Sequence, residues 1–187
     1  MKSRSLLSAL ALAAVVLGCN STVGEGTKAI SPAQPLPSNG SGTEVQLDGA
    51  YVKTLQLSKG GEGGLSLRVQ AGGMSGVRQF EFTVALEPAE SFDLNSASFA
   101  PASPFITVGS GVEITPEKNL RAIGIYLPTA GFTGDGELGT LTLRTNSAVS
   151  SSIPPRVRLL RFSAGPSSRE RDTYTEQQLN LGLNLGP

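Results

Sequence analysis

Strict alternation of apolar and polar residues, interrupted by glycine clusters, is the feature that most limits what this chain can fold into. Leu65, Leu67 and Val69 alternate with Ser66, Arg68 and Gln70. Phe80, Phe82, Val84 and Leu86 alternate with Glu81, Thr83 and Ala85. Ile123, Ile125 and Leu127 share one face of a further run, and Leu141 and Leu143 alternate with Thr140, Thr142 and Arg144. Leu179, Leu181, Leu183 and Leu185 alternate with Asn180, Gly182 and Asn184. Side chains on a strand point to opposite faces in turn, so a period of two predicts strands with one buried face. Residues 59–64, Gly72-Gly73, Gly109-Ser110-Gly111 and Gly134-Asp135-Gly136 are the turn signals between them. No window carries the 3.6-residue period of a three-turn amphipathic helix. Many short one-face-apolar strands predict an all-β fold, an antiparallel β-sandwich.

Composition removes several chemistries. Histidine is absent from the 187 residues, so no Ser-His-Asp triad, Cys-His pair or histidine-ligated metal is available. Cys19 is the only cysteine, so no disulfide forms within the chain and the core alone must hold the fold. The chain has 15 basic and 15 acidic residues. Without Lys2 and Arg4 of the amino-terminal segment the balance is 13 to 15, slightly acidic, which argues against a nucleic-acid partner.

The amino-terminal segment is of another kind. Lys2 and Arg4 precede an apolar run from Leu6 to Leu17, which ends in Gly18-Cys19. This is the layout of a secretory signal, and the run is shorter than the roughly 20 residues that a membrane-spanning helix needs. Val16-Leu17-Gly18-Cys19 resembles the lipobox of bacterial lipoproteins. That resemblance implies removal of residues 1–18, lipidation of Cys19 with fatty acyl chains such as palmitate, and attachment to a membrane of the cell envelope. Asn20, where an aspartate would favour inner-membrane retention, implies the outer membrane. Residues 19–43, rich in Ser, Gly, Thr and Pro, read as the lipidated cysteine and a disordered tether of roughly 25–30 Å reach. Residues 44–187 then form the sandwich domain.

The order of segments within that domain resembles the cohesin domain, in the cohesin and carbohydrate-binding jelly-roll group. A glycine turn at 61–64 leads into Leu65-Ser66-Leu67-Arg68-Val69. The strand from Phe80 to Leu86 runs into Leu86-Glu87-Pro88, where the family carries Tyr-Asp-Pro, and Phe92-Asp93-Leu94-Asn95 follows. Gly134-Asp135-Gly136-Glu137-Leu138-Gly139-Thr140-Leu141-Thr142-Leu143 matches a later turn and strand, with Leu143 in place of the usual phenylalanine. The likeness covers roughly residues 50–186. It implies a cohesin-like jelly-roll sandwich acting as a non-enzymatic, single-copy recognition module that holds a protein partner, as cohesins hold dockerins, on a sheet face. The runner-up within the same group is a carbohydrate-binding module for a surface polysaccharide.

Individual residues offer few alternatives. Asp135 and Glu137 are the candidate calcium ligands, too few for a built site, and a plain turn is the simpler reading. No other metal or cofactor site is expected. Glu113 and Glu117 form a carboxylate pair of the kind used in glycoside hydrolysis, but solvated loop charges at a strand end are the simpler reading. The mixed run Ser168-Arg169-Glu170-Arg171-Asp172 predicts an exposed loop before the last strand. Sugar binding wants aromatic platforms; Tyr126 and Tyr174 are the candidate ligand contacts, while the seven phenylalanines are assigned to the core.

Overall fold

The computed structural model describes residues 43–60, 65–109, 111–146 and 154–185. Cys19, the signal segment and nearly all of the tether lie outside these residues. In chain order the elements are β1 (Thr43–Gln46), β2 (Thr54–Lys59), β3 (Leu65–Val77), β4 (Gln79–Glu87), β5 (Phe92–Pro101), β6 (Val112–Ile114), β7 (Leu120–Ile125), β8 (Phe132–Thr145), β9 (Arg156–Gly165), β10 (Asp172–Thr175), α1 (Glu176–Leu179) and β11 (Gly182–Asn184). All strand pairs are antiparallel. Two sheets result: a five-stranded one in the order β1-β2-β3-β8-β5, and a six-stranded one in the order β10-β9-β4-β7-β6 with β11 also on β9. The domain is thus an antiparallel β-sandwich, as the alternation predicts. Among the described residues no helix is long and apolar enough to cross a membrane.

The inner faces of the two sheets form one core. Leu55, Leu57, Leu67, Val69 and Leu141 come from the first sheet, and Val84, Leu120, Leu159 and Phe162 from the second, all fully buried. Phe82 of β4 crosses the gap to Phe99 of β5, edge to face at 5.3 Å, and Phe80 meets Phe99 at 6.1 Å and Phe105 at 5.1 Å. Six of the seven phenylalanines are buried and Phe132 is partly buried against them.

Three expectations need correction. Gly72-Gly73 and Gly134–Gly136 are not turns between strands; they lie inside β3 and β8. The β3–β8 register shifts between Ala71 and Met74, opposite Gly136 and Gly134. The extra residues of such a bulge take backbone angles that favour glycine, and Gly73 and Gly134 have φ of 59° and 118°. The leucine run at the carboxyl end is also not a single strand. Residues 176–179 form one helical turn, where the Thr175 backbone N–H donates to Gln178 Oε1 at 3.0 Å. Asn180 then turns left-handed, φ 44°, and only Gly182–Asn184 pair with β9. This local hydrogen-bonded cap outcompetes the strand pattern, yet Leu179, Leu181 and Leu183 are still buried.

The third correction concerns β7. Its buried residues are Leu120, Ala122 and Gly124, so Ile123 and Ile125 point outward. The cause is Phe80 on the neighbouring strand, paired with Gly124. A Cβ at position 124 would stand 2.2 Å from the Phe80 ring. The inner face of β7 is therefore built of small residues to admit a large one from β4, and the isoleucines take the solvent side.

Candidate functional site: the outer face of the six-stranded sheet

Register fixes which side chains share this face. One row runs Ile106–Ile125–Gln79–Gly165, through the bridge between Ile106 and Ile125, whose two N–H···O bonds are both 2.8 Å. The next is Ile123–Glu81–Ser163–Thr173. The third is Glu113–Arg121–Thr83–Arg161–Thr175. Beyond it Ala85 stands beside Arg158 and Glu87 beside Arg156.

One corner of this face is apolar. Among the described residues the exposed large hydrophobics are Ile106, Val108, Ile114, Ile123 and Leu127, 36–79% accessible, and all fall between residues 106 and 127. Single exposed apolar side chains are ordinary, but a contiguous group is not. Ile106 and Ile125 are direct cross-strand neighbours, and Ile123 lies two residues along from Ile125 on the same side of β7. The alternation marks Ile123 and Ile125 as one face of a strand, expected to be the buried one, and gives no signal for Ile106. Gly124 and Ala122 are the signal for the opposite phase, because a strand with small residues on one face can present its large ones outward.

The rest of the face is charged and mostly matched. Arg121 donates to Glu113 at 2.5 Å, and Arg171 lies 3.8 Å from Glu81. Glu87 receives Arg156 at 2.5 Å and Arg158, and Arg158 also reaches Glu176. Partial burial pushes the Glu87 carboxyl upward, but hydrogen bonds from Arg158 and Arg156 outweigh this and hold it below the usual carboxylate range. The side chain of Arg161, exposed at the middle of the third row, makes no hydrogen bond or ion pair with any described residue.

The other predicted residues lie elsewhere. Asp135 Oδ1 accepts the Gly73 N–H at 2.6 Å, and Glu137 faces Arg68 at 3.4 Å and accepts the Thr140 hydroxyl at 2.9 Å. Both belong to the five-stranded sheet. Among the described residues no three His, Cys, Asp or Glu side chains gather as a metal site would require. Glu113 is held by Arg121, while Glu117 is exposed in the turn after β6. Tyr174 is no ligand platform: its ring is 5% accessible and stacks on Phe162. Tyr126 is half-buried against Phe105 and Phe132. Of the loop expected over 168–172, residues 168–170 are exposed, whereas Asp172 already opens β10; Glu170 accepts the Tyr51 hydroxyl and Asp172 the Tyr51 N–H, both at 2.7 Å. A cleft of about 740 Å³ opens beside β5 and β6, but its Glu90 and Asp93 balance Lys118 and Arg144 and leave no net charge for an ionic ligand.

No protein-family model matches the chain, and no curated protein matches it. Several solved structures are similar to it. A cohesin module from a Clostridium perfringens family 33 glycoside hydrolase is 16% identical, with a TM-score of 0.45, over 73% of this chain and 88% of that one. The sixth cohesin of Acetivibrio cellulolyticus scaffoldin B, solved in complex with a dockerin, is 19% identical with a TM-score of 0.39, over 57% and 79%. A third cohesin from Acetivibrio cellulolyticus, also with a dockerin, is 13% identical with a TM-score of 0.37, over 57% and 78%.

Proposed function

We propose that this chain is a non-enzymatic, lipid-tethered module of the bacterial cell envelope, placed at the outer membrane, that binds a protein on the outer face of its six-stranded sheet. The observation that carries the binding reading is the patch of Ile106, Ile123 and Ile125 beside ordered charge pairs. An apolar centre with a polar surround is how protein interfaces are built. The absence of histidine supports a role without catalysis. The burial of Tyr174 leaves the polysaccharide alternative without that platform. The tether rests on Cys19 and the apolar run before it.

Full chain immobilised on a support should retain a protein from an extract of its source organism. Ile123→Asp, which puts a charge at the apolar centre, should reduce that retention about 30-fold or more. Its far-UV circular dichroism should be unchanged, because position 123 faces solvent. Retention of polysaccharide alone, or of the same protein by the Ile123→Asp variant, would overturn this reading.

The anchor has a separate test. Expressed in a bacterium with lipoprotein processing, the chain should incorporate labelled palmitate and enter the detergent phase on partition. Cys19→Ala should take up no label and stay in the aqueous phase. Equal labelling of both proteins would rule the anchor out.

A further inference from the structure

The sheet face that we propose as the docking surface also specifies something of what docks. Its cations are Arg121, Arg156, Arg158, Arg161 and Arg171, and its acids are Glu81, Glu87, Glu113 and Glu176. Every arginine but Arg161 stands within salt-bridge distance of an acid. Arg161 lies between Thr83 and Thr175, which are neutral, and is exposed. The single cation in excess is therefore the one without an acid beside it.

We infer that the partner presents a carboxylate to Arg161, about 12 Å from the apolar side chain that it seats on Ile106, Ile123 and Ile125. The distance follows from register. Arg161 on β9 and Ile123 on β7 are two strand spacings apart, about 9.6 Å, and two residues offset along the strand, about 6.7 Å. A partner covering this face strips water from the guanidinium. Without an acid opposite, the charge is left buried and unpaired, which disfavours binding strongly. With one, the planar fork of Arg161 takes a carboxylate through two parallel N–H···O bonds. The patch thus supplies adhesion and Arg161 supplies selection, rejecting partners that bring a neutral or basic group to that point.

This inference rests on the proposed docking face, and the test separates the two. A phage-displayed library of random twelve-residue peptides is panned against the full chain. The selected peptides are then measured against Arg161→Glu and Ile123→Asp chains whose circular dichroism matches the parent. Selected peptides should pair an apolar residue with Asp or Glu and should bind Arg161→Glu about 30-fold more weakly or worse. Replacing their acid by Lys should restore binding to Arg161→Glu. Peptides lost on Ile123→Asp but held within about 3-fold by Arg161→Glu would overturn the carboxylate and leave the docking face standing. Peptides indifferent to both variants, or a library yielding no binder, would overturn the docking face as well.

Discussion

Phe82→Ala should cost the domain about 3–5 kcal/mol, a large part of the roughly 5–15 kcal/mol that holds a domain folded. Phe82 is fully buried near the middle of β4. Its lateral neighbours in register are Ala122 and Phe162, and its ring meets Phe99 of the opposite sheet at 5.3 Å and Phe80 at 6.4 Å. Truncation removes the apolar surface of the ring and opens a cavity between two sheets. Backbone hydrogen bonds on both sides of β4 keep those sheets from closing over it. With a urea dependence of about 1–3 kcal/mol per molar, the unfolding midpoint should fall by one to several molar. A midpoint within about 0.3 M of the parent would show that the site collapses freely and that Phe82 does not bridge the sheets. With no disulfide available in the chain, nothing covalent compensates for such a loss.

β4 and β7 show together how much of this fold the sequence carried. On β4 the alternation named the buried face correctly: Phe80, Phe82, Val84 and Leu86 are all inside. The same rule applied to β7 gave the wrong face. Periodicity reports that two faces differ; which one is buried depends on what the neighbouring strand delivers. Phe80 fills the space beneath Gly124, and that is a pairing across some forty residues of sequence, invisible within either segment. The bulges at Gly73 and Gly134 were hidden for a related reason. A glycine at positive φ looks the same in a sequence whether it ends a strand or bends one. Two strands with matching irregularities, β3 and β8, can continue through a glycine pair that would otherwise mark a turn.

The candidate site was less legible than the fold because of that phase error. A reader who assigns Ile123 and Ile125 to the core sees a sandwich with nothing apolar to offer. Arg161 was equally hidden, since an arginine becomes informative only when its neighbours' partners are known. Arg121, Arg156 and Arg158 each look as unmatched in the sequence as Arg161 does, while Arg171 stands between Glu170 and Asp172. Glu113, Glu87, Glu176 and Glu81 find them only after folding. The chain enters the described residues through β1, at the edge of the five-stranded sheet, whereas the candidate face belongs to the other sheet. The proposed attachment through residues before β1 and the proposed recognition on the other sheet are thus compatible.

Tyr174 should cost the domain about 2 kcal/mol of stability as pH rises from 10 to 12, out of about 3 kcal/mol in all once the folded phenol is fully ionised. Burial pushes its phenol up, the Asp172 carboxylate adds to this, and the Gly49 backbone pulls weakly the other way, which leaves the group at about 12 against an ordinary 10. The unfolded chain therefore gives up this proton near pH 10, while the folded one keeps it until about 12. Between those values the unfolded state binds fewer protons, so stability falls with pH; below 10 the contribution is fully present. A rise from 10 to about 12 corresponds to about 3 kcal/mol. Tyr51 is raised as well, chiefly by its hydrogen bond to Glu170, and acts in the same direction. The difference between parent and Tyr174→Phe isolates the one group. At pH 7 that variant should be near neutral or slightly stabilised, because the buried Tyr174 hydroxyl makes no well-formed hydrogen bond among the described residues, only a weak approach to the Gly49 backbone. Urea midpoints measured from pH 8 to 12 should converge on one another at low pH and separate above 10, with Tyr174→Phe the more stable. Parallel curves for the two proteins would mean that the Tyr174 phenol ionises alike in the folded and unfolded chain, which would overturn this prediction.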